Sequence, residues 1–75
     1  MKTRTYRIHL IKEPDGGFTA SVPTLSGCIT FGKSVDEAME MVKEAISLYI
    51  ESLEAHGEAV PDDQNTLEYS LTLVA

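Results

Sequence analysis

The chain contains no tryptophan, one cysteine, three prolines and only 6 Lys+Arg residues in a length of 75. Each shortage excludes something. A lone thiol, Cys28, forms no internal disulfide, so the fold must hold without a covalent staple, as suits a reducing, cytoplasmic setting. No apolar run approaches the ~18 residues of a membrane span. None follows Met1-Lys2 as a secretory signal would, so a cytoplasmic location is expected. The few cations face 12 Asp+Glu, leaving a formal net charge of −6. Such a surface repels phosphate, and no basic patch with interleaved aromatics offsets it. Direct nucleic-acid binding is therefore not expected, whereas a basic partner is favoured by opposite fields. Repeats and low-complexity segments are absent from the sequence.

What is present suffices for one small domain over residues 1–75. Some 43% of residues are apolar, but a chain this short buries only a little over ~60% of its unfolded surface. Marginal stability follows, and oligomerisation is a common remedy at this size.

Residues 4–12 alternate, with Tyr6, Ile8 and Leu10 on one side, Arg7, His9 and Lys12 polar and Ile11 breaking the pattern, which predicts a half-buried strand. Glu13-Pro14-Asp15-Gly16-Gly17 is a turn, because proline presets φ, aspartate caps and glycine allows φ > 0. A second strand is expected over 18–22, with Phe18, Ala20 and Val22 on one face, and Pro23 ends it. A third is expected over 28–31.

Ser34 and Glu37 form an S-x-x-E capping box, each side chain satisfying the other residue's free N–H. Val35, Ala38, Val42, Ala45, Ile46, Tyr49, Ile50 and Leu53 then recur at helical spacing, which predicts a helix over 35–55. Asp36, Glu40, Lys43, Glu44, Ser47, Glu51 and Glu54 cover its opposite face; Met39 and Met41 are read as packing residues, with an adaptable interface as the other use of methionine. Gly57 is the expected left-handed C-terminal cap. After a linker over 57–66, Leu67, Tyr69, Leu71 and Leu73 alternate with polar residues, predicting a strand over 67–74. The order β-β-β-α-β is a two-layer α+β domain, an antiparallel sheet with one long helix on it.

No catalytic, cofactor or metal site is expected. His9 lies among polar strand positions without a partner base, and His56 suits the negative end of the helix dipole. Cys28 has no local signature of an activated thiolate and reads as a packed thiol. Two histidines and one cysteine at separations of 19 and 28 match no zinc spacing. Asp15, Asp36 and Glu37 already serve the turn and the cap. Gly16-Gly17 lacks the rest of a phosphate loop.

Pro14-Asp15-Gly16-Gly17-Phe18, Ser21-Val22-Pro23, Leu25-Ser26-Gly27-Cys28, Gly32-Lys33-Ser34, Asp36-Glu37-Ala38 and Lys43-Glu44-Ala45-Ile46 follow one another in order, with Leu53, Gly57 and Pro61 behind them. Over roughly residues 6–61 this series resembles the HicB-like antitoxin family. The resemblance implies a partial RNase H-like fold without RNase H activity. It also implies a partner: HicA, a small basic toxin that cleaves mRNA and is masked when the antitoxin docks over its active site. Larger members of that family add a C-terminal DNA-binding module. Residues up to Ala75 hold none, so autorepression is not expected of this chain.

The reading from sequence is thus a toxin-binding antitoxin domain, not an enzyme. Partner contacts are expected on the sheet edges and on the acidic helix face, where charge alone singles out Glu40, Glu44, Glu51 and Glu54. The alternative is a self-assembling module, a homodimer or higher homo-oligomer, because the leucines of Leu67–Val74 are wasted if exposed and an edge strand invites a second chain.

Overall fold

The computed structural model describes residues 3–74; Met1, Lys2 and Ala75, which the expected domain includes, lie outside the described residues. Its elements run β1 (His9–Lys12), β2 (Phe18–Ser21), β3 (Ile29–Gly32) and α1 (Val35–Ala55). The strands make one antiparallel sheet in the order β1-β2-β3. Leu10, Ala20 and Thr30 stand side by side in register, as do Lys12, Phe18 and Gly32. These two rows face α1, and the intervening residues face away from it. The result is the expected α+β architecture of one sheet and one helix.

The connections are built as the turn chemistry requires. Glu13 and Gly17 close the first hairpin, Gly16 takes a φ of 96°, and the Asp15 carboxylate accepts the Gly17 N–H at 3.1 Å. Between β2 and β3 two turns follow in succession, Leu25 N–H to Val22 carbonyl and Cys28 N–H to Leu25 carbonyl, each 3.0 Å. This corner folds Leu25 into the core beside Ala20, Val22, Cys28, Ala38 and Val42.

Ser34 caps α1 by accepting the Glu37 N–H at 3.1 Å. The return bond from the Glu37 carboxylate lands one residue earlier than a capping box requires, on the Lys33 N–H at 3.0 Å. At the far end Gly57 adopts a φ of 68°, and Glu58 N–H reaches the Leu53 carbonyl at 2.9 Å, a Schellman closure. The helix packs chiefly on β3, where Gly32 lies against the α1 backbone at Ala38.

Two strand expectations are corrected. The first strand was expected over 4–12 but is regular only from His9. The reason is local: Arg7 N–H donates to the Asp63 carboxylate at 2.8 Å, and the Thr5 carbonyl accepts from the Asp63 N–H at 2.7 Å. A side chain thus takes the place of a ladder partner. The fourth strand, expected over 67–74, is not a strand in this chain. Leu67 and Tyr69 are 90% and 91% exposed, and Leu71, Leu73 and Val74 are exposed too. Alternation records a preference for a half-buried pleated surface; it does not supply the neighbour that buries it.

Candidate protein-docking site

The helix places its acidic residues by geometry alone. At 3.6 residues per turn, Glu40, Glu44 and Glu51 fall on one side of α1, all exposed. Glu54 stands apart from them, since its carboxylate meets the Arg4 guanidinium at 3.7 Å. Three of the four expected acids therefore share a free surface, while the fourth is engaged by the N-terminal segment.

Sequence reasoning missed Leu48 and gave Met41 a packing role first and an interface role second. Met41 and Leu48 point outward, 46% and 59% exposed, and lie a full helical repeat apart beside Glu44 and Glu51. Of the two roles expected of Met41, packing is corrected, since its side chain is exposed. Position 41 falls outside the stripe that Ala38, Val42 and Ala45 press onto the sheet. The available signal was spacing: i, i+3, i+7 and i+10 from Met41 give Glu44, Leu48 and Glu51, an apolar pair edged by acids. Exposed apolar centres bordered by charge are how protein-binding surfaces are composed.

Beside this face lies an open groove of about 510 Å³ between α1 and the N-terminal segment, walled by Tyr6, Ile8, Met39, Val42, Ile46 and Ile50. Arg4 and Lys43 supply cations at its margin. The Tyr6 hydroxyl donates to the Pro61 carbonyl at 2.7 Å, and partial burial pushes its pKa up.

Asp63, Cys28 and the two histidines have local roles. Asp63, 3% exposed, accepts from Arg7 N–H and from the Thr24 hydroxyl. These bonds, the backbone donor first and the hydroxyl second, hold its carboxyl below the usual range. It pins the linker to the first strand and to the β2–β3 corner, a role the sequence did not disclose. Cys28 is buried and its thiol is pushed up by desolvation, the reverse of what a nucleophile needs. His9 Nε2 lies 3.3 Å from Glu68, and His56 Nδ1 lies 2.7 Å from the Ser52 carbonyl at the helix end. Among the described residues no group of three His, Cys, Asp or Glu side chains converges on a metal position. Nor is any described helix long and apolar enough to cross a membrane.

Comparison with known proteins identifies the family. Residues 6–72 match the family model described as a HicB-like antitoxin of bacterial toxin-antitoxin systems. A UPF0150 protein of Thermoplasma acidophilum is 47% identical over 58 residues, covering 77% of this chain and 84% of that one. A UPF0150 protein of Synechocystis is likewise 47% identical over 58 residues, covering 77% and 73%. One from Helicobacter pylori is 41% identical over 58 residues, covering 77% and 81%. No solved structure matches significantly. A match over residues 6–72 takes in every element of the fold, and the chain belongs to the HicB-like antitoxin family.

Proposed function

We propose that this chain is the antitoxin of a type II pair and works in the cytoplasm by binding and masking a HicA-like, mRNA-cleaving toxin. The observation that carries the surface assignment is the outer face of α1, where Met41 and Leu48 lie exposed among Glu40, Glu44 and Glu51. A protein that cleaves RNA must present cations to its substrate. An acidic face competes for those cations, and the Met41–Leu48 pair adds apolar contact that RNA does not offer. Inhibition is then steric and electrostatic, and asks no chemistry of the antitoxin itself.

The test takes as toxin candidate any small basic protein found encoded beside this chain's gene. The intact antitoxin is expected to co-purify with it and to suppress its RNA cleavage. Replacing Glu40, Glu44 and Glu51 together by Lys should weaken binding by at least tenfold. Met41→Ala with Leu48→Ala should do so by roughly 30-fold, the scale of a hot spot. Glu54→Lys should matter least, because Arg4 already holds that carboxylate. Unchanged affinity in both multiple variants would move the surface elsewhere, and uninhibited cleavage by the intact pair would overturn the reading.

A further inference from the structure

The segment 67–74 emerges beside the sheet. Its root is fastened by the Asp63 N–H to the Thr5 carbonyl at 2.7 Å and by the Arg7 guanidinium to the Thr66 carbonyl at 2.9 Å. Glu68 then meets His9 at 3.3 Å, so the chain advances in the same direction as the first strand. Beyond that point Tyr69, Leu71, Leu73 and Val74 are exposed, and Leu67 before it is equally bare.

Charge decides where a second copy can approach. Every copy carries a net −6, with Asp36, Glu37, Glu40, Glu44, Glu51 and Glu54 on α1, so two copies repel through their helices. The segment 67–74 bears one charge, Glu68, in eight residues. It is the long exposed stretch through which a second copy approaches with little repulsion.

We propose that two copies pair through residues 67–74 as antiparallel strands about a two-fold axis at Ser70. The symmetry of the segment suits this register. Residues opposite one another across an antiparallel pair share a face. With Ser70 facing its equivalent, Tyr69 stands opposite Leu71 and Leu67 opposite Leu73, which makes four apolar cross-strand pairs on one face. Glu68 stands opposite Thr72, so no like charges oppose each other. An eight-residue strand spans ~26 Å. Two such strands with their flanking surfaces remove on the order of 1,000 Å² from water, the threshold of a stable interface. The fourth strand that alternation implies is thereby formed between chains instead of within one. The inference is independent of the toxin, since every measurement uses this chain alone.

Sedimentation equilibrium of the full chain at tens of micromolar is expected to show a dimer, and Leu71→Asp a monomer with an unchanged helical circular dichroism spectrum. Ser70→Cys places the two new thiols at Cα separations of ~4.5–5.5 Å, within disulfide reach. Mild oxidation should therefore cross-link it. Thr72→Cys, four residues out of register with its equivalent, should not cross-link. Cys28 is buried and does not compete. A monomeric parent chain, a dimer that survives Leu71→Asp, or cross-linking at 72 as fast as at 70 would each overturn the proposal.

Discussion

Gly32 shows how little a residue's type says until its neighbours are known. Its φ is ordinary, yet a Cβ there would strike the α1 backbone at Ala38 N and Cα. Backbone cannot rotate away, so Gly32→Ala should destabilise the domain by about 1–3 kcal/mol, as overpacking does. Chemical denaturation with unchanged slope would check it. Against a total of about 4–11 kcal/mol for a chain of this size, that is a large share. Asp63 is the second such residue. It accepts from Arg7 N–H and Thr24, and its carboxyl is held below the ordinary value of 3.8. A depressed folded value means the contribution is complete above 3.8. It is lost as pH falls from there through the folded value. Asp63→Asn should therefore lower the melting temperature at pH 7. It should also flatten the decline of melting temperature below pH 4, measured as thermal unfolding against pH. In the sequence Asp63 was one polar residue of a linker; its importance arises from contacts with Thr5, Arg7 and Thr24, some 40 to 60 positions away.

Among the elements, α1 was the most legible, observed over the same residues 35–55 that its period and cap imply. Both signals are local, so they survive folding unchanged. Ser34→Ala removes the acceptor of the Glu37 N–H and should cost about 1 kcal/mol, within the usual range for N-caps. Glu37→Gln should cost less, because a neutral amide oxygen can still accept from Lys33 N–H. A melting series comparing the two separates the halves of the cap. The strands were less legible. The β2 and β3 spans fall within a residue of expectation, since Pro23 and Gly17 bound one and Gly27 leads the other. Only the last four residues of the expected first strand form one, because residues 5–7 spend their hydrogen bonds on Asp63. The packing role first expected of Met41 failed for a related reason. A helix carries apolar residues on more than one side, and only the sheet's position decides which side becomes core.

At the scale of the molecule, charge and shape divide the surface. The acidic face of α1 suits a basic partner and opposes self-association. Its encounter with the proposed toxin should accordingly slow as salt rises, with the association rate falling several-fold between low and physiological ionic strength. Stopped-flow binding across a salt series would measure this. The three charge-reversing changes at Glu40, Glu44 and Glu51 should remove the dependence. The weakly charged segment 67–74 lies apart from that face, so a chain paired through it keeps its acidic helix open. The two surfaces therefore do not compete in principle for one partner.

By itself the amino-acid sequence determined the helix, its two ends, the glycine turns, the sign of the surface and membership of the family. All of these are properties of neighbouring residues or of composition. The tertiary structure alone decided which side of the helix is covered, that Asp63 replaces a strand partner at Arg7, and that residues 67–74 have no ladder within the chain. These depend on which surfaces meet. A pattern of side chains specifies a preference for burial, but the burying neighbour is supplied only by the fold or by another chain.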